Sequence, residues 1–390
     1  MFTKGKISMI DRFATDRQLE ILKAVKKYDG NQRKAAKSLG ISPSAVSKAI
    51  SRVNKRAAVQ GIAPEHDMTH SVPDGFIVKG VSTYYDMNGE VKGQWVKSSI
   101  DTSKLKELLE DFAEDLVENV RGLAPIIKKP DTTDKDLMCV YPMGDPHFGL
   151  YAWWQDTGDD FDLEIAEALT CKAIDRLVAT APNAQHAILL NLGDMFHADN
   201  QKNITVSGHQ LDVDGRWAKV QQVGLRAMIY CIKRLLGKHE KLTVRINKGN
   251  HDNHSSYALS LMIDAYFSEN DRVTVDLSPA ICWYHRFGKV LIGSTHGDTI
   301  KGQNLVGIMA ADRPVDWGLT SHRYWLVGHV HHQDIKEYPG GIVEYFRTLA
   351  ARDAWHAGQG YRAGRDMRLI VMHSEHGEIE RHRCDIAMLS

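Results

Sequence analysis

The chain has 390 residues, 43% hydrophobic and 25% charged, with a formal net charge of zero, enough for two or three domains of which one can bury a full α/β core. No apolar run approaches the ~20 residues of a membrane helix, and the first ten residues lack the apolar segment of a signal peptide. Five scattered Cys, none in a C-x-x-C pair, suit a reducing cytoplasm and argue against thiolate metal sites, whereas His is abundant at 19.

Charge is unevenly spread. Residues 1–60 carry 14 Lys and Arg against 4 Asp and Glu, a basic head on an acidic remainder, which points to nucleic-acid contact by the head. Asp16 to Tyr28 reads as a helix, Asn31 to Leu39 as a second, and Gly40-Ile41 as a tight turn. Ser42 suits an N-cap and Pro43 a first helical position, opening a third helix to about Arg56. Leu39, Ile41, Val46 and Ala49 or Ile50 supply the shared core. Ala35 to Ile50 closely resembles the DNA-binding helix-turn-helix. That resemblance implies a last helix entering the major groove, with Ser44, Ser47, Lys48, Ser51, Arg52 and Lys55 facing outward. Ser and Lys on such a face favour phosphate contacts over base readout. The alternative is a three-helix packing module whose charge is merely solvated.

Residues 61–135 read as a connector. A polar linker precedes two β-rich runs, Phe76–Tyr85 and Val91–Val96, about the hairpin signal Asn88-Gly89. An amphipathic helix around 103–121 follows, with Leu105, Leu108, Leu109, Phe112, Leu116 and Val120 as its apolar stripe. It covers the neighbouring body or hairpin, or else joins a homo-oligomer.

Residues 136–390 alternate apolar β-runs with helical stretches, the pattern of an α/β domain. Five runs end in Gly with Asp, Asn or His: Gly144-Asp-Pro-His147, Gly193-Asp-Met-Phe-His197, Gly249-Asn-His-Asp252, His296-Gly-Asp298 and Gly328-His-Val-His331. Carboxyl ends of strands are where α/β sheets place ligands. Carboxylate, imidazole and amide oxygen without Cys suit Mn, Fe or Zn. Asp145/His147 and His329/His331 are spaced i, i+2, so an extended segment presents both donors on one side, and Asp194 is placed to bridge two cations. One such pair is commonplace; five in order after strands point to a shared metal site.

These ordered motifs resemble the calcineurin-like metallophosphoesterase superfamily over residues ~137–350. The resemblance implies a four-layer α/β/β/α sandwich, here with an N-terminal all-α helix-turn-helix domain and a β-hairpin/helix connector. By motif, Asp145, His147, Asp194 and His331 would hold one divalent ion, and Asp194, Asn250, His296 and His329 a second. Mn2+ is the expected metal, with Fe or Zn as alternatives. A metal-bridged hydroxide would attack phosphorus in line, His251 would act as general acid, and Asp252 would orient it. Gly-Asp-Met-Phe-His looks like SbcD-type double-strand-break-repair nucleases, which makes His197 a substrate-side residue or a local hydrogen-bond partner. The long C-terminal partner-binding tail of those nucleases is not seen, so no SbcC-like ATPase partner is expected. A helix-turn-helix on such a body also looks like phage- and prophage-encoded esterases, placing the protein in a bacterial cytoplasm, away from membranes. Near the end, Arg347, Arg352, Asp353, Trp355, His356, Tyr361, Arg362 and Arg365 form a basic-aromatic loop. It binds phosphate or bases, or is loop packing; Arg352 is its candidate phosphate contact. The expectation is a metal-dependent phosphodiesterase acting on DNA, the alternative a phosphatase or cyclic-nucleotide diesterase that the head only localises.

Overall fold

Local signals set the N-terminal helices. In α1 (Asp16–Lys27), Thr15 and Gln18 form a reciprocal capping box. Asn31 caps α2 (Gln32–Leu39) by accepting from Lys34 N at 3.1 Å, and Gly40 ends it in the left-handed region at φ 67°. Ser42 Oγ accepts from Ala45 N at 3.1 Å where α3 (Pro43–Val59) begins. Ile21, Ala36 and Val46 form a small core with Val25, Leu39, Ile41, Ala49 and Ile50 against it. Ser44, Ser47, Lys48, Ser51, Arg52 and Lys55 are all exposed on α3.

The structure, a computed structural model, describes residues 10–59, 62, 72, 76–86, 91–100, 122–204 and 210–389. Most of the linker, the Asn88-Gly89 turn and the helix expected around 103–121 lie outside the described residues. The chain divides into two compact units, Met1–Leu108 and Leu109–Ser390. Besides its helices the first holds an antiparallel ribbon, β1 (Phe76–Tyr85) against β2 (Val91–Ile100).

The second unit is mixed α/β with two sheets. The six-stranded sheet contains β3 (Asp134–Met143), β4 (Ala184–Asn191), β5 (Lys241–Ile246), β6 (Val273–Asp276), β12 (Asp366–His373) and β13 (Gly377–Asp385). Its order is β13-β12-β3-β4-β5-β6, parallel from β3 to β6 and antiparallel at β12 and β13. The five-stranded sheet has the order β10-β11-β9-β8-β7, from β7 (Trp283–Phe287), β8 (Val290–Thr295), β9 (His322–Val327), β10 (Asp334–Tyr338) and β11 (Gly341–Tyr345).

Strand alternation explains the packing. Met138 and Val140 of β3, Ile188 and Leu190 of β4, Val290 and Ile292 of β8 and Leu326 of β9 share one core, so the two sheets face each other. The intervening residues Cys139, Tyr141, Ala187 and Leu189 point the other way, into a core shared with the helices Leu163–Thr180, Trp217–Leu236 and Ser255–Tyr266. Leu291, Trp325 and Val327 pack on the helix Gly302–Asp312. Burial at ~25 cal/mol per Å² of apolar surface drives this arrangement. The carboxyl ends of β3, β4 and β5 on one sheet and of β8 and β9 on the other carry the five polar clusters. Among the described residues no helix is long and apolar enough to cross a membrane.

Candidate metal centre

Three of the loops leaving those five strands, after β3, β4 and β9, depart from ordinary backbone geometry. Among the described residues, the non-glycine residues with positive φ are Asp29, Asn203 and five of the motif residues: Asp145 (42°), His147 (47°), Asp194 (47°), His329 (73°) and His331 (57°). Left-handed conformations strain L-residues, and such strain gathers where side chains must be aimed. The segments 145–147 and 329–331 are therefore not extended, contrary to the i, i+2 expectation. The chain curls, so Asp145 and His147 enter one group while His329 and His331 enter different ones. Cross-loop bonds hold the curls: His147 N donates to Asp194 O at 3.0 Å, and Thr348 Oγ1 to Asp145 O at 2.6 Å.

The first group is Asp145, His147 and His331. His147 Nε2 lies 3.1 Å from His331 Nε2, and His331 Nε2 lies 3.6 Å from Asp145 Oδ1. The Asp145 carboxylate also accepts from His329 N at 2.9 and 3.0 Å. Burial, and next the facing His331, hold the His147 imidazole well below its ordinary value.

The second group is Asp194, His296 and His329. His296 Nδ1 faces Leu192 O at 2.9 Å, and its Nε2 faces Asn250 Oδ1 at 2.9 Å and Asp194 Oδ2 at 3.2 Å. Burial acts to lower this imidazole, yet Asp194 and then Asp145 raise it to about 10. Asp194 stands between the groups, since its Oδ2 is also 3.9 Å from His147 Nε2.

The donor set fits a divalent cation. Acceptors surround both nitrogens of His296, so positive charge is required at Nε2, where Asn250 Oδ1 and the Asp194 carboxylate converge. Among the described residues, histidines alone are the ion-pair partners of Asp145 and Asp194. Both carboxylates are buried, and an uncompensated buried carboxylate costs several kcal/mol. Oxygen and imidazole donors without thiolate suit Mn, Fe or Zn.

His251 stands beside both groups. Its backbone N donates to Asp194 Oδ1 at 2.8 Å, and its Nδ1 faces His197 O at 2.9 Å. The expected pairing with Asp252 is not formed. Both Asp252 oxygens accept from backbone, Gly249 N at 2.9 Å and Phe196 N at 3.1 Å, tying the loop after β5 to the loop after β4. Burial and then the Asp194 charge push the Asp252 carboxyl up. His197 is 1% exposed; its Nδ1 lies 3.2 Å from His147 Nδ1 and its ring stacks on His251 at 5.2 Å. Burial, with His251 next, lowers it to about 3.

Glycine opens the room. A β-carbon at Gly249 would fall 1.9 Å from Asp194 Oδ1, and one at Gly193 (φ 102°) 2.4 Å from His296 Nδ1. Arg352 is engaged within its loop, with Tyr361 O at 3.2 Å and Asp159 Oδ2 at 3.6 Å. Sequence reasoning missed Thr348, which pins the Asp145 backbone, and gave no role to His356, whose ring stacks on His331 at 5.1 Å. Only the basic-aromatic composition of 347–365 pointed toward His356. The six outward residues of α3 belong to the other unit.

No protein-family model matches the chain, and no curated protein does. Among solved structures, the chain resembles an archaeal phosphodiesterase at TM-score 0.31 and 13% identity, over 64% of this chain and 99% of that one. It also resembles zinc-complexed Vps29 from Entamoeba histolytica at 0.28 and 14%, over 64% and 99%. A predicted phosphoesterase from Streptococcus pneumoniae matches at 0.27 and 9%, over 65% and 99%. Likeness this slight carries no function across; the convergent donors do that work.

Proposed function

We propose that this chain is a divalent-metal-dependent phosphodiesterase acting on DNA. Its second unit would be the four-layer α/β/β/α sandwich of calcineurin-like metallophosphoesterases and its three-helix head a DNA-binding helix-turn-helix. The observation that carries the reading is the pair of Asp/His groups meeting at Asp194, built on buried carboxylates and each aimed in part by left-handed backbone. Asp145, His147, Asp194 and His331 would hold one ion, and Asp194, Asn250, His296 and His329 the other, with Mn2+ the first candidate. Divalent ions held there supply Lewis-acid charge to a phosphoryl oxygen and lower the pKa of a water.

The protein's own groups handle the leaving oxygen. His251 Nδ1–H donates to His197 O, which leaves Nε2–H of the imidazolium as the proton for the departing alkoxide. The same histidine's backbone is bound to Asp194, so acid and metal ligands move as one body. The exposed Lys48, Arg52 and Lys55 of α3 would hold the DNA backbone through their charge.

The test is a Mn2+ panel of bis-p-nitrophenyl phosphate, p-nitrophenyl phosphate and labelled DNA, with elemental analysis of the protein. His251→Ala should keep its metal and lose at least about 100-fold in diester turnover. Monoester turnover with no diester or DNA hydrolysis above an Asp194→Ala control would replace the reading with a phosphatase.

A further inference from the structure

Two loops bordering the candidate metal centre present large aromatic side chains to solvent. Beyond His147, Trp153 is 50% and Trp154 59% exposed; beyond Thr348, Trp355 is 60% and Tyr361 38% exposed. The short helix Trp154–Thr157 packs against the short helix Ala354–Gly358. Asp159 joins the same loops, 3.6 Å from both Arg352 and Arg365. The four aromatics therefore share one surface.

That surface begins at the centre. His356 stacks on His331 with ring centroids 5.1 Å apart and planes 20° apart. Its Nδ1 is held by Asp353 Oδ1 at 2.7 Å. Outward, His356 meets Trp355 at 4.9 Å and Tyr361 at 5.1 Å, both edge-on. The loop's guanidinium groups are meanwhile hydrogen-bonded within the protein, Arg362 from an exposed position. Arg347 binds Asp366, Arg365 binds Leu349 O, and Arg362 binds Ala357 O and Tyr361 O. What the surface offers a ligand is π-face, continuous with a candidate phosphate-handling site.

A flat π-face beside a phosphodiester matches a nucleobase, since every base has a face to stack and none needs a specific hydrogen bond. In duplex DNA those faces are already stacked. We propose that Trp355 and Tyr361, flanked by Trp153 and Trp154, form a stacking platform for an unpaired base next to the phosphodiester, making single-stranded DNA or a frayed end the preferred substrate. This rests on the phosphodiesterase reading above. The Trp355 and Tyr361 centroids are 6.2 Å apart with planes tilted by 38°. A base clamped between parallel rings needs roughly 7 Å, two van der Waals separations. The base therefore lies on an outward face.

Fluorescence anisotropy on the full-length protein in EDTA tests this, with fluorescein-labelled dT12 and a twelve-residue abasic strand of the same backbone charge. Head binding through phosphates is common to both probes, so their affinity ratio isolates stacking. Wild type should prefer dT12 by about tenfold or more. Trp355→Ala should bring that ratio to about twofold or less by weakening dT12 alone, and Trp355→Phe should restore most of it. Equal wild-type affinity for both strands, or an equal loss on both in Trp355→Ala, would overturn the platform. Hydrolysis of methyl p-nitrophenyl phosphate, a diester without a base, separates the two readings. Turnover without base preference removes the platform alone, whereas base preference without turnover supports the platform and removes the phosphodiesterase.

Discussion

His147 Nδ1 lies 3.2 Å from His197 Nδ1, deep in the protein. Two ring nitrogens at that distance share a hydrogen only if one donates and the other accepts. His147 Nε2 is turned toward His331 Nε2, so its lone pair belongs there and its proton on Nδ1. His197 then accepts at Nδ1 and carries its own proton on Nε2, a buried atom without a hydrogen-bond partner. Partners of this kind fix the tautomer and orientation of a metal-binding imidazole. His197→Ala should therefore weaken divalent-metal affinity by roughly 10- to 100-fold, read by calorimetric titration with Mn2+. His197→Gln, which keeps an acceptor, should lose less. Unchanged metal affinity with reduced DNA turnover would assign His197 to the substrate instead.

Gly249 is a second pressure point. Its hypothetical β-carbon meets Asp194 at Oδ1 (1.9 Å) and at backbone N (2.4 Å), and neither atom can retreat without disturbing the curl that aims Asp194. Gly249→Ala should abolish metal retention and lower thermal stability, by about 1–3 kcal/mol as for other overpacked sites. Elemental analysis and thermal melting check both. Wild-type metal content in this variant would show that the loop has slack the geometry denies.

The polar clusters were legible because each interrupts an apolar run where a strand ends, and the helix signals were legible because Ser42, Pro43 and Gly40 act locally. The paths of the loops were not. Period-two reasoning puts His329 and His331 on one side of an extended chain, whereas positive φ at both sends them to different groups. Nor does any local signal divide the motif-bearing strands into β3, β4, β5 and β8, β9, since partnership between strands is long-range. β10 escaped because Asp334–Tyr338 is a short, largely exposed edge strand without alternation. Trp153-Trp154 carries no signal in the sequence because exposure, not identity, distinguishes a platform from a core.

Asp199 and His254 predict a pH signature. Asp199 accepts from His254 Nδ1 at 2.5 Å, His254 N at 3.0 Å, Ser255 N at 2.8 Å and Ser255 Oγ at 2.7 Å, a borrowed cap for the helix Ser255–Tyr266. The Asp199 carboxylate raises His254 above 6.5, while the hydrogen bonds from His254 and Ser255 outweigh burial and lower Asp199 below 3.8. A raised imidazole stabilises the fold fully below 6.5, and that part is lost as pH climbs through the folded value. A lowered carboxyl stabilises above 3.8, and that part is lost as pH falls through its folded value. The pair is thus at full strength between 3.8 and 6.5. Asp199→Asn keeps an acceptor and removes the charge, so its Tm deficit against wild type should be widest in that window and shrink above it. A deficit constant from about pH 5 to 9 would mean that the ion pair contributes nothing.

The head yields the last prediction. Lys48, Arg52 and Lys55 project from one helix with no burial to explain them, and Ser44, Ser47 and Ser51 are exposed on the same helix. Such a face holds phosphates more than it reads bases. Each phosphate neutralised releases counterions, so log K for duplex DNA falls against log salt with a slope of about 0.9 per phosphate. Replacing Lys48, Arg52 and Lys55 with Ala in the full-length chain should flatten that slope by about 0.9 for each phosphate no longer neutralised and weaken binding alike on unrelated sequences. A slope unchanged by all three substitutions would show that duplex DNA binds elsewhere. A weakening confined to one sequence would mean that this helix reads bases after all, with its serines as the next residues to replace.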